Sequence, residues 1–227
     1  MSQGLEYHVD LVMVIDLTGS MGHIIKSVRA AALNFQEQLS ERMAAKSKFI
    51  AQLRVRVVGF RDMFADQECF VESRFFNVPQ EQEDFASFVA LLRAKGGGGD
   101  GPESGLEALS LAINSEWTSQ GDRRRHLVIV WSDARPHRLE DGQNSVPAPL
   151  SARICGTFDI LTDLWEGCQQ TGMSQNSRRL VLYAPDASEW QVISESWSQV
   201  IHFPSKAGQG LREFEMNSIL DALANSV

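Results

Sequence analysis

Asp10-Leu11-Val12-Met13-Val14-Ile15-Asp16-Leu17-Thr18-Gly19-Ser20-Met21 is the stretch that decides the fold. From Leu11 to Ile15 the apolar residues are unbroken, and the run stops at a polar turn. A strand with one wet face alternates polar and apolar residues. A short unbroken run is what a strand buried on both faces of a parallel sheet requires. Past the run, Asp16, Thr18 and Ser20 occupy alternate positions, so an extended or turning backbone can aim three oxygens at one point. Gly19 permits the sharp bend there.

Downstream the chain alternates between helical and strand periodicity. Ile25, Val28, Ala32, Phe35 and Leu39 recur at three- and four-residue steps and predict a helix from Gly22 to Met43. Alternation over Gln52 to Phe60 predicts a second strand, and Phe70 to Val78 an edge strand stopped by Pro79. A helix follows from about Glu81 to Ala94, broken by Gly96 to Gly99, and another starts near Pro102. His126 to Trp131 is another buried strand, ending at Ser132-Asp133. The stretch from Arg135 to Pro149 reads as a long surface loop. Then come a helix around Ser151 to Thr171, a strand from Arg178 to Tyr183, a helix from Ala187 to Glu195, a strand from Ser198 to Phe203 and a last helix from Leu211 to Ala224. This order predicts an α/β, Rossmann-like, doubly wound sheet, mostly parallel with one antiparallel edge strand and helices on both faces. No linker or repeat divides residues 1–227, so one domain is expected.

Charge and cysteine content exclude several classes. The formal net charge is −8, so the chain lacks the overall basic footprint of a nucleic-acid binder. The basic run Arg123 to Arg125 precedes an apolar strand and reads as a solvated turn. Cys69, Cys155 and Cys168 are odd in number and irregularly spaced, which argues against a disulfide framework and against structural zinc. Met1 to Asp10 has neither the basic nor the apolar region of a signal peptide, and no apolar run is long enough to span a bilayer. A reduced, cytoplasmic setting is the expectation.

In open α/β sheets the ligand crevice lies beyond the carboxyl ends of the strands, where strand order reverses. Three oxygen-bearing loops fall at such ends: Asp16 to Met21, the glycine-rich run Gly96-Gly-Gly-Gly-Asp100-Gly-Pro-Glu103, and Ser132-Asp133. Carboxylates and hydroxyls suit a hard cation, Mg²⁺ first, with Mn²⁺ or Ca²⁺ possible. Alone, Asp16-x-Thr18-Gly-Ser20 also suits a helix N-cap. Likewise, Gly96 to Gly99 alone suits a flexible linker, and without a Gly-Lys-Ser/Thr ending it makes no triphosphate cradle. Glu103 fits a first-turn carboxylate or a place on the rim beside the metal. His137 and Arg135 are placed in the loop after Asp133, as solvent-facing residues or as contacts near the metal.

With the three loops in this order, the chain resembles the von Willebrand factor A family and its metal-ion-dependent adhesion site. The likeness runs from about Tyr7 to the last helix. The runs Asp10 to Met21 and Gly97 to Glu103 resemble in particular the subset that accompanies alpha-type protein kinases and some bacterial operons. The resemblance implies that Thr18 and Ser20 bind the metal directly, that Asp16 and Asp133 act largely through waters, and that Asp100 binds directly or through water. Two positions depart from the family pattern. Threonine stands for the first serine, and Asp100 stands where many adhesion members have threonine. An anionic ligand there lowers the Lewis acidity of the metal and its attraction for an incoming carboxylate.

The function implied is recognition: a partner's Asp or Glu completes the metal shell. Similar stand-alone chains are partners of ATPases, protein kinases or phosphatases in bacterial stress or defence gene sets. Two alternatives stand beside this reading, a Mg²⁺-dependent phosphatase and a scaffold with an unused site. Against the phosphatase, Thr18 replaces the second aspartate of the common pattern, and there is no Gly-x-Ser-x-Gly elbow.

Overall fold

The computed structural model describes residues 5–31, 35–97, 101–121, 123–142, 144–167, 172–209, 211 and 216–226. In chain order the elements are β1 (Leu5–Asp16), α1 (Gly22–Ala31), α2 (Phe35–Ala44), β2 (Lys48–Phe60), β3 (Phe70–Glu72), β4 (Phe76–Val78), α3 (Gln82–Leu91) and α4 (Gly105–Ile113). They continue with β5 (Arg124–Trp131), α5 (Leu139–Gly142), α6 (Phe158–Glu166), β6 (Arg178–Pro185), α7 (Ser188–Ser196), β7 (Val200–Ser205) and α8 (Met216–Ser226).

The strands form one sheet in the order β3-β2-β1-β5-β6-β7, with β4 also on β2. β1, β2, β5, β6 and β7 run parallel. β3 and β4 are antiparallel to β2. The chain winds outward from β1 to β2, then returns to the other side of β1 to lay down β5. The switch point therefore lies between β1 and β5, where Ile15 pairs with Trp131. Asp16 and Ser132 are the next residues beyond that pair.

The unbroken apolar run of β1 has its reason in the two cores. Val9, Leu11, Met13 and Ile15 join one cluster with Ile24 and Val28 of α1, Met43 of α2, Phe85 of α3 and Leu220 of α8. Val12 and Val14 join the other, with Leu106 and Leu109 of α4, Trp165 of α6 and Trp190 of α7. Every position of α4 is buried, so that helix lies under the sheet's centre. Among the described residues, no helix is long and apolar enough to cross a membrane.

Several boundaries differ from the sequence reading. The helix expected from Gly22 to Met43 is two helices, with residues 32–34 outside the described set. The edge strand expected over Phe70 to Val78 is two short strands. Between them the Ser73 hydroxyl accepts from the Val57 N–H, so a side chain replaces a rung of the ladder. The helix expected from Ser151 starts at Phe158, because the Thr157 hydroxyl caps it by accepting from the Ile160 N–H, and it ends at Gly167 with φ 79°. The loop from Arg135 to Pro149 is partly docked. Pro136 bridges to Glu103, and the short α5 buries Leu139 and Gly142. Pro102 precedes its helix, which begins at Gly105. Leu211, the expected start of the last helix, lies in a turn, and residues 212–215, between it and the helix Met216–Ser226, are outside the described set.

Candidate metal centre

The first loop leaves β1 at Asp16 and is pinned on both sides. Leu17 N–H donates to the Phe60 carbonyl at the end of β2, and Lys95 N–H donates to the Leu17 carbonyl. Gly19 N–H reaches the Gly96 carbonyl at 3.3 Å, which ties the first loop to the start of the glycine-rich loop. At Gly96, φ is 74° and a β-carbon would stand 2.1 Å from the Asp66 carboxylate, so glycine is required there. That carboxylate accepts from Gly97 N–H at 3.0 Å. The Arg61 guanidinium, buried, donates to the carbonyls of Lys95, Arg93 and Glu68 and so holds the chain leading into this loop.

Within this frame the side chains converge. Asp16 Oδ1 accepts from Thr18 N–H at 2.8 Å and from the Thr18 hydroxyl at 2.6 Å. Asp16 Oδ2 accepts from the Ser132 hydroxyl at 2.9 Å. The Ser20 hydroxyl donates to Asp133 Oδ1 at 2.8 Å, and the Thr18 and Ser20 oxygens lie 3.4 Å apart. Four of the five residues expected to form the site, Asp16, Thr18, Ser20 and Asp133, thus meet although they span more than a hundred positions of the chain. The fifth, Asp100, lies outside the described residues.

Asp16 is fully buried. Burial pushes its carboxyl up to about 6, against the opposing pull of its bonds from Thr18 and Ser132, and the Asp133 charge adds to the rise. A carboxylate so placed gains from a nearby cation. Donor chemistry points the same way: hydroxyl and carboxylate oxygens suit Mg²⁺, which keeps waters in its shell and needs few protein ligands. Among the described residues no group of three or more His, Cys, Asp or Glu side chains is gathered for a metal.

Above these residues opens a cleft of about 470 Å³, lined by Thr18, Ser20, Glu103, Asp133 and Arg135 and walled by small residues such as Ala187 and Ala207. Glu103, buried just ahead of α4, is part of that lining. His137 does not face solvent as a free loop residue. Its Nε2 lies 3.2 Å from Asp62 Oδ1 and its ring packs edge-on against Phe64.

The sequence profile of the von Willebrand factor A domain family matches residues 10–204, most of the chain. The chain belongs to that family. This von Willebrand factor A domain is 29% identical over 133 residues to an alpha-protein kinase of Dictyostelium discoideum, covering 58% of the chain but 19% of that relative. Among solved structures it is similar to the von Willebrand factor domain of the pilus tip protein Mfa5 from Porphyromonas gingivalis, at a TM-score of 0.51 and 15% identity, covering 96% of this chain and 94% of the other. It is also similar to the pilus adhesin SpaC of Lactobacillus rhamnosus GG, at a TM-score of 0.55 and 11% identity, over 96% of this chain and 30% of that one. Domains of this family commonly serve as adhesion or protein-interaction modules and are generally not enzymes.

The sequence reading missed three contributors. Ser132 was legible only as the neighbour of Asp133, yet its hydroxyl holds Asp16. Asp66 and Arg61 sit in a stretch with no motif signal. Their roles come from reaching across to the glycine-rich loop, which periodicity does not encode. Trp131, Trp165, Trp190 and Trp197 are buried packing residues. Cys69 and Cys155 are buried free thiols. Cys168 lies outside the described residues.

Proposed function

We propose that this domain is a divalent-metal-dependent protein-interaction module that takes up Mg²⁺ and docks an acidic side chain of a partner. Thr18 and Ser20 would hold the ion through their hydroxyls, and Asp16, Asp100 and Asp133 would supply the negative charge that a hard cation requires. When bound, the ion supplies an electrophilic position for a carboxylate oxygen. The observation that carries this reading is the meeting of Asp16, Thr18, Ser20 and Asp133 at the switch point. Asp16 is buried and, among the described residues, held by hydroxyls and one backbone N–H. A capping role for Asp16-x-Thr-Gly-Ser does not account for Ser132 and Asp133 joining from another strand. Thr18 makes no side-chain cap to the turn that follows it.

We place the domain in the cytoplasm as an adaptor or regulator. Two buried, unpaired cysteines support that setting, and likeness to part of an alpha-protein kinase supports a partner among kinases, ATPases or phosphatases. Thermal melting tests the metal step. An ion that binds only the native state stabilises it by about 2.7 kcal/mol at a hundredfold excess over its Kd. Millimolar Mg²⁺ raises the Tm of the wild type and not that of Asp16→Ala, which stays folded. An identical melting curve for the wild type with Mg²⁺ and with chelator would overturn the reading.

A further inference from the structure

A cleft lined by carboxylates is a poor host for another carboxylate. Asp133 and Glu103 line it, and Asp16 lies buried at the base of the loops. Even a doubly charged cation is largely offset by such a set, so an acidic ligand approaches a weak field. Among the described lining residues one side chain is cationic, Arg135.

Arg135 is exposed, and among the described residues no hydrogen bond or ion pair engages its guanidinium. Several other arginines of the domain are held by carboxylates. Arg54 holds Asp10, Arg56 and Arg153 share Glu72, Arg74 holds Glu81 and Asp84, and Arg178 holds Glu166.

The backbone that carries Arg135 is fixed. Gly208 N–H donates to the Asp133 carbonyl at 2.9 Å, Trp190 Nε1 to the Ala134 carbonyl at 3.1 Å, and Glu103 N–H to the Arg135 carbonyl at 3.0 Å. His137 N–H then donates to the Glu103 carbonyl at 2.9 Å, and its ring is held at Asp62. With its backbone fixed, only the side chain of Arg135 has to be ordered when it pairs, and a guanidinium matches the two oxygens of a carboxylate.

We infer that Arg135 admits the partner to this cleft, pairing with the carboxylate of an Asp or Glu on a polypeptide and offsetting the acidic lining. The inference rests on the metal-dependent docking reading above and adds to it a second, protein-borne contact for the same acid.

The test uses the Mg²⁺-loaded chain and a short capped glycine peptide bearing one glutamate, with its glutamine counterpart as control, followed by NMR titration. Calorimetry follows Mg²⁺ alone in parallel. The glutamate peptide binds the wild type and the glutamine peptide does not. Arg135→Ala weakens peptide binding about tenfold, Arg135→Lys restores part of it, and Arg135→Glu removes it. Arg123→Ala, at the opposite end of the sheet, leaves it unchanged. Mg²⁺ affinity is unchanged or modestly tighter in Arg135→Ala, because a repelling cation is gone. Equal peptide affinity in the wild type and Arg135→Ala overturns the Arg135 inference alone. Equal peptide binding in chelator overturns the metal reading while Arg135 keeps its role. A fall in Mg²⁺ affinity on Arg135→Ala overturns the inference in favour of a structural part, and no peptide binding by the loaded wild type overturns both.

Discussion

Asp10 and Asp16 stand at the two ends of the core run of β1, both buried, and they are treated in opposite ways. Asp10 is gripped by Arg54, Nε to Oδ1 at 2.7 Å and Nη2 to Oδ2 at 2.5 Å, and its Oδ2 also accepts from Thr118 N–H at 2.7 Å. Among the described residues Asp16 meets hydroxyls and one N–H, from its own loop and from the loop after β5. The charge at the amino end of the strand is answered within the molecule. At the carboxyl end the partners of the carboxylate among the described residues are all neutral. Losing one partner of a buried carboxylate–arginine pair is strongly destabilising. A buried carboxylate held by neutral donors beside a second carboxylate instead has its charged form disfavoured, a penalty the proposed metal would relieve.

The comparison breaks most visibly at Asp10. Arg54→Ala leaves that carboxylate buried without its partner and costs about 3 kcal/mol or more in denaturant-monitored stability. Asp16→Asn in chelator costs little by the same measure. Equal losses for the two would erase the distinction between the two ends.

A smaller effect is carried by pH. The folded-state pKa of Asp16 is raised to about 6, so between pH 4 and pH 6 the native state holds a proton that the unfolded chain has released. Without metal, stability therefore falls as pH rises through this window, by up to about 1.4 kcal/mol per pH unit from this group. The fall is reduced in Asp16→Asn relative to the wild type, as read from urea unfolding at each pH. Added Mg²⁺ flattens it too, since the ion favours the charged carboxylate. Glu107, buried in α4 and pushed up to about 8 by burial, has the same sign from its ordinary value up to about pH 8 and overlaps this window, so the Asp16 share is the difference between the wild type and Asp16→Asn.

The smallest effect sharpens the picture at Ser132. Ser132→Ala removes one donor to Asp16 and costs about 1 kcal/mol of Mg²⁺ binding, or roughly fivefold in affinity. A Mg²⁺ affinity equal to the wild type's would mean that Ser132 merely fills space.

Much of this was legible before any coordinates. Leu11 to Ile15 and His126 to Trp131 marked strands buried on both sides, and their polar ends marked the crevice. Asp16, Thr18 and Ser20 are legible because they are close in the chain and follow a known pattern. Element ends were not, because a hydroxyl cap at Thr157 or a ladder replaced at Ser73 depends on which backbone groups lie opposite. Arg135 and His137 looked alike in the sequence, two polar residues in a loop. One stands exposed at the cleft, and the other is turned inward to Asp62.

The sequence by itself determined which residues seek burial and which oxygens stand at strand ends, since periodicity and side-chain chemistry are local properties. Only the tertiary structure decided which charges are answered. Pairing is a matter of distance between residues far apart in the chain, and Arg54 reaches Asp10 while no basic side chain among the described residues bonds to Asp16.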